Sequence, residues 1–194
     1  MNFIDTICKM KIGIPGTAGS FSQQAAQLYS DKHNLNTSIE FLLSFEPTFQ
    51  ALVNKEIDLA IVPVYNSTMG LVRPAMEALA AYSCSIIEIF DMDIAQCLLA
   101  QHGVTKSMIT TIVSQQPALN QCPQYLKNDF PNAQIIQYID TAQAAHDVAQ
   151  GKFGPYAAAI ASAQCAQLYD LDLVEEGVQD LKKNVTSFLA IKAI

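Results

Sequence analysis

A chain of 194 residues, 51% apolar and 15% charged, can bury a core as one domain or as two small lobes, and it is not a disordered segment. Its formal net charge of −7 and single arginine, Arg73, exclude a surface that neutralises a run of phosphates, so no nucleic acid partner is expected. A small anion stays compatible with that balance, because N–H groups at a helix start hold a carboxylate without net positive charge.

Taken in chain order, short apolar runs alternate with helical patterns. "KIGIPG" (11–16) reads as a strand entering a Gly/Pro turn, and "SFSQQAAQLYSDKH" (20–33) as the helix that follows, with Ser20 or Ser22 as its N-cap. "SIEFLLS" (38–44) is the next strand, and "EPTFQALVNKEI" (46–57) a helix with Pro47 in its first turn. "DLAIVPVYN" (58–66) is a strand ending in polar residues, and "IIEIFDMDIAQCLLAQ" (86–101) reads as long strands. Strand then helix recurs in 108–130, in 133–151 and in 156–170, and "VQDLKKNVTSFLAIKA" (178–193) closes with a strand.

This order predicts an α/β architecture with mostly parallel sheets. A small polar residue recurs between strand and helix, at Gly19-Ser20, Ser114-Gln115, Asp140-Thr141 and Ala161-Ser162. Each such residue is accounted for as a helix cap; four together suggest a shared anion cleft beyond the carboxyl ends of the strands. With two lobes, the chain is expected to cross between them near 83–95 and again near 178–184. Residues 1–82 with 179–194 would form the first lobe and 83–178 the second.

Five scattered cysteines (Cys8, Cys84, Cys97, Cys122, Cys165) without a C-x-x-C pair read as reduced thiols in a reducing compartment. The first residues lack the apolar run of a secretion signal, and no stretch reaches the roughly 18 apolar residues of a membrane span. A cytoplasmic protein without a membrane partner is therefore expected. His33, His102 and His146 are far apart and lack metal-ligand spacing, so no metal is expected.

Six segments occur in a telling order: "GTAGSFSQQAA" (16–26), "VPVYNSTMGLV" (62–72), "VSQQPALNQC" (113–122), "DTAQAAHDVA" (140–149), "AAIASAQCAQLYDL" (158–171) and "VQDLKKNVTSF" (178–188). Together they resemble the catalytic domain of the prephenate dehydratase family. Its segments read G-x-x-G-S-F-S, P-x-E-N-S-x-x-G-x-V, S-H-P-Q-A-L-x-Q-C, a Thr-Ala-rich helix start, A-A-I-A-S and D-x-x-x-N-x-T-R-F. The resemblance runs from about Lys11 to Lys192 and implies a two-lobed fold like that of type II periplasmic binding proteins. The site would lie between the lobes.

The family reaction takes prephenate to phenylpyruvate, a carbon–oxygen lyase chemistry that loses carbon dioxide and water without cofactor or metal. It needs anchors for a small dicarboxylate, an apolar wall, and an acid for the departing hydroxyl. The resemblance assigns Thr186 as the catalytic residue. Asn66, Ser67 and Phe188 match further motif positions, while Ser20, Ser114, Thr141 and Ser162 are candidate donors to the substrate. It also implies a homodimer. Because the chain ends six residues after Phe188, no regulatory ACT domain is expected.

Three motif positions depart. Ser187 stands where the family has arginine, Tyr65 where it has glutamate, and Ser114-Gln115-Gln116-Pro117 where it has S-H-P-Q. The missing guanidinium predicts weak turnover, and Ser187→Arg is expected to raise it roughly tenfold. Arg73 is a candidate replacement anchor, and the Tyr65 hydroxyl a candidate donor to substrate. Strand alternation sets Thr186 and Phe188 on one face and Ser187 on the other. Two other functions fit the same residues: a non-aromatising prephenate decarboxylase, or a non-catalytic small-carboxylate binding protein.

Overall fold

A computed structural model describes residues 9–194, so Cys8 lies outside the described residues. In chain order the elements are β1 (Met10–Ile14), α1 (Phe21–Lys32), β2 (Thr37–Phe41), α2 (Phe45–Val53), β3 (Leu59–Asn66), β4 (Gly70–Leu71), α3 (Arg73–Ala81) and β5 (Cys84–Asp93). Then come β6 (Cys97–Ala100), β7 (Thr111–Gln115), α4 (Gln116–Leu119), α5 (Pro123–Asp129), β8 (Gln134–Tyr138), α6 (Thr141–Ala149), β9 (Ala157–Ala161), α7 (Gln164–Tyr169), β10 (Asp172–Glu176) and β11 (Val185–Ala193).

Two sheets share one plan. The first runs β2-β1-β3-β11-β5 with β4 beside β3, and the second, read in the matching direction, runs β8-β7-β9-β6-β10. In each, three parallel strands form the core. A fourth, antiparallel strand arrives from the other sheet and is flanked by an antiparallel edge. This is the expected two-lobed α/β fold, parallel in the core of each sheet.

The lobe boundary differs from expectation. β5 pairs with β11 from Cys84 to Asp93, so residues 83–93 belong with the first sheet rather than the second. The outgoing crossing is the short stretch Ile94–Gln96, and the return lies between β10 and β11. The long strands expected in 86–101 are β5 and β6, and they part at the outgoing crossing. There Ile94 N–H donates to Asn184 O and Gln96 O accepts from Val178 N–H, each at 2.8 Å, so the two crossing segments bond to each other.

Local chemistry explains the helices. Ser20 has extended φ/ψ and its Oγ accepts from Gln23 N–H, which makes it the cap of α1. Asp140, rather than Thr141, caps α6 by accepting from Gln143 N–H at 2.9 Å. The helix expected across 116–130 is broken in two, because Pro123 lacks the N–H that would bond back into α4. Each sheet is covered on both faces. Ile12, Ile14, Leu59, Ile61 and Phe188 pack toward α1, while Leu189 and Ile191 pack toward Phe49 and Leu52 of α2 and Ala78 of α3. Truncating Phe49 or Phe188, each fully buried, would cost about 3–5 kcal/mol. No helix among the described residues is long and apolar enough to cross a membrane.

Candidate functional site

The carboxyl end of β3 and the start of β11 lie side by side where the chain crosses between sheets. Asn66 pairs with Thr186 and Tyr65 with Ser187, while Phe188 sits opposite Pro63. Val64 is therefore the extra residue of a bulge, which turns the end of β3 and presents Asn66 beside Thr186. Phe188 and Ala190 face the α1 side and Leu189 and Ile191 the α2/α3 side. Alternation then puts Thr186 on the α1 side and Ser187 opposite.

On the Thr186 side the side chains form a buried shell of amides. Asn66 Oδ1 accepts from the backbone N–H groups of Thr68 and Met69 at 3.0 and 2.9 Å, so its amide has one orientation. Asn66 Nδ2 then donates to Thr186 Oγ1 at 2.9 Å and to Asn184 Oδ1 at 2.8 Å. Asn184 Nδ2 donates to Gln121 Oε1 at 2.8 Å, and Gln96 Nε2 donates to the same oxygen at 3.0 Å. Gln179 Oε1 accepts from Gln96 N–H at 2.9 Å. All six residues are buried, and five are neutral amides. Since Thr186 Oγ1 already accepts a hydrogen bond from Asn66, its own proton remains to be donated. Ser67 clamps the strand start: its Oγ accepts from Val185 N–H at 2.9 Å and its N–H donates to Val185 O at 2.8 Å.

The other face is different. Ser187 Oγ donates to Asp91 Oδ1 at 2.6 Å on β5, and Tyr65 and Leu71 continue the same row, both exposed. Tyr65 and Ser187, two of the three departures from the motifs, are thus register partners on the side away from the amides. Phe188 is 1% exposed and stacks on Phe90 at 5.9 Å, so it supports the sheet from within the core instead of lining a cleft.

The remaining expected donors are engaged elsewhere. Ser114 is fully buried within β7 and donates to Ile160 O at 2.6 Å. Ser162 Oγ donates to Gly19 O at 2.6 Å, Tyr169 OH to Ala18 O at 2.8 Å, and Thr17 Oγ1 to Asp140 Oδ1 at 2.9 Å. These bonds clasp the loop before α1 onto α6 and α7, next to Ser20 and Thr141. A Cβ on Gly19 would come 2.7 Å from Cys165 Sγ, so this close approach requires glycine. Arg73 is the exposed first residue of α3.

A shallow cavity of about 450 Å³ lies at the ends of β7 and β8, lined by Gln115, Gln116, Pro117, Gln137, Tyr138 and Ile139. No residue of the amide shell lines it. His33 bonds Glu88, His102 bonds Asp172, and His146 bonds Asp147. Among the described residues no three His, Cys, Asp or Glu gather as a metal site. Burial pushes the Cys122 thiol up to about 12 and Cys165 to about 11, so neither supplies a thiolate nucleophile near neutral pH.

Sequence reasoning passed over Gln96, Gln121, Gln179 and Asn184. Gln121 and Asn184 stood inside quoted motifs, and Gln96 interrupts the apolar run "DIAQCLLA"; a polar residue in such a run was the available signal.

The model of one family, prephenate dehydratase, matches residues 12–193. The chain belongs to the prephenate dehydratase family. It is 34% identical over 184 residues to the arogenate dehydratase/prephenate dehydratase 1 of Arabidopsis thaliana, with 94% of this chain and 45% of that protein covered. The chain spans about half the length of the curated relatives it matches. Among solved structures, the prephenate dehydratase of Arthrobacter aurescens in complex with L-Phe superposes with a TM-score of 0.86 at 24% identity, covering 95% of this chain and 61% of that one. A periplasmic substrate-binding protein of an ABC transporter from Coxiella burnetii shares the fold at a TM-score of 0.50 and 12% identity, over 95% and 84% of the two chains.

Proposed function

We propose that the chain is a prephenate dehydratase-like carbon–oxygen lyase of aromatic amino acid biosynthesis with Thr186 as its acid. The observation that carries this reading is the bond from Asn66 Nδ2 to Thr186 Oγ1, which leaves the threonine proton free to donate. Loss of carbon dioxide sends the electron pair of the broken C–C bond into the ring. The ring C–O bond then breaks, and the departing oxygen takes the proton of Thr186 and leaves as water. Negative charge building on Oγ1 meets the Asn66 N–H, and solvent later restores the proton, so one proton is consumed per turnover.

Ser67, Asn184 and Gln121 hold this acid in place. Ser187 and Tyr65 belong to the far face and Phe188 to the core, and they leave the proposed site. Ser20, Thr141 and Ser162 act at the clasp. Thr186 and Asn66 are only 8% and 7% exposed, so the acid is shielded from bulk water.

A homodimer is part of this proposal: β5 is an edge strand with Ile86, Ile87 and Ile89 exposed, and light scattering in solution tests it. A reducing, cytoplasmic setting is supported by the four described cysteines being free. Purified protein given prephenate or arogenate should release an aromatic product, read by ultraviolet absorbance and mass. A non-aromatic decarboxylated product, or binding without turnover, would overturn the dehydratase reading.

A further inference from the structure

The amide shell has a direction, and it ends on an unpaired atom. The backbone N–H groups of Thr68 and Met69 fix the oxygen of Asn66, which fixes its nitrogen toward Asn184 and Thr186. Asn184 must then present its oxygen to Asn66 and its nitrogen to Gln121. Gln121 receives with its oxygen, so Gln96 must meet it with its nitrogen. That leaves Gln96 Oε1 buried with no hydrogen-bond partner among the described residues, in a residue 3% exposed.

Turning the Gln96 amide over would set its oxygen against Gln121 Oε1, an acceptor that already serves Asn184, so the mismatch has no internal cure. An unpaired buried acceptor costs about 1–3 kcal/mol. The two ends of the network are therefore of opposite kind. Thr186 offers a donor, and Gln96 offers an acceptor.

A ligand that completes both ends needs an acceptor for Thr186 and a separate donor for Gln96. In prephenate the only strong donor is the ring hydroxyl, which is the group Thr186 must protonate. Arogenate carries an ammonium where prephenate has its side-chain keto oxygen, and that ammonium is a second donor. The chain's formal net charge of −7 also favours the substrate that carries the added positive group.

Resting on the dehydratase reading above, we propose that Gln96 is a specificity-determining residue whose Oε1 receives the side-chain ammonium of an amino-acid substrate. The chain then prefers arogenate to prephenate. A charge-assisted hydrogen bond gained by one substrate and not the other corresponds to about ten- to a hundredfold.

The test is kcat/KM for both substrates in the wild type and in Gln96→Met, which keeps the volume and removes the acceptor together with the Nε2 donor to Gln121. The wild type should favour arogenate by about tenfold or more, and Gln96→Met should lose about that factor more for arogenate than for prephenate, over any loss that the missing bond to Gln121 imposes on both. A wild type that uses prephenate equally or better overturns the proposal, even if the variant fails to fold. Equal losses on both substrates overturn it as well, because a structural role would lower both. If neither substrate turns over, the dehydratase reading fails separately, and calorimetry with L-phenylalanine and phenylpyruvate decides the selectivity. Tighter binding of the amine, closed by Gln96→Met, supports it; equal affinity, or binding of neither, contradicts it.

Discussion

The two faces of β11 at residues 186 and 187 are neighbours in sequence and unlike in every other respect. Thr186 is buried against Asn66 and, through it, a chain of amides that joins the two crossing segments. Ser187 lies in a more open row with Tyr65 and Asp91, where its hydroxyl meets a carboxylate on the edge strand. The motif residues retained in this chain, Asn66, Ser67, Asn184 and Thr186, bond to one another or to the strand start they flank. Of the three departures, Tyr65 and Ser187 are partners of each other on the far side, and the Gln115-Gln116 change lies at the end of β7. The cross-strand pair reads as one coordinated replacement on a surface, which leaves the Thr186 side untouched.

Substitutions on each side can break or sharpen that contrast. The largest effect is expected from Asn66→Leu, which removes the donor to Thr186 and strips the partner from the N–H groups of Thr68 and Met69. Steady-state kinetics should find kcat lower by about a hundredfold, the low end of what a positioned acid contributes. A kcat near wild type would separate Asn66 from the chemistry. Next comes Asn184→Leu, which interrupts the amide chain one step away. It leaves the Gln121 oxygen one donor short and the Asn66 amide without one acceptor, so denaturant unfolding should show a loss of about 1–3 kcal/mol.

On the far face effects should be small. Ser187→Arg would place a guanidinium beside Asp91 and away from Thr186. The tenfold gain suggested by the motif alone is therefore replaced by a change in kcat/KM of less than about threefold, with up to about 1 kcal/mol added to stability by the exposed ion pair. A tenfold rise would show that the two faces communicate. Smallest is Ser187→Ala, which loses one half-exposed hydrogen bond and should lower stability by no more than about 1 kcal/mol, read as a small fall in Tm.

Much of the fold was legible. The alternation of apolar runs and capped helices at Ser20 and in 133–151 reflects local periodicity, which survives tertiary packing. What escaped was set by long-range pairing. Residues 84–93 carry no mark of which sheet they join, because partnership with β11 depends on a strand about a hundred residues away in sequence. The exact break at Ile94–Gln96 carries no Gly or Pro to mark it. The roles of Ser114 and Ser162 were misread for a related reason: a hydroxyl at a strand end suits a ligand, a cap or a carbonyl of another strand equally well. Thr186 and Asn66 were singled out by their motifs, and the structure makes them register partners joined by a hydrogen bond. Gln96 and Gln121 were not, since an amide network is defined by who faces whom, and spacing along the chain is silent on that.

The account stands or falls on the proton of Thr186. The most direct measurement is kcat of Thr186→Ser beside Thr186→Val on whichever substrate the wild type turns over best. Serine keeps the hydroxyl that Asn66 orients, and valine keeps the shape without it. Turnover within about tenfold of wild type for serine and at least about a hundredfold lower for valine is the predicted result. A valine variant that turns over like the wild type would contradict it.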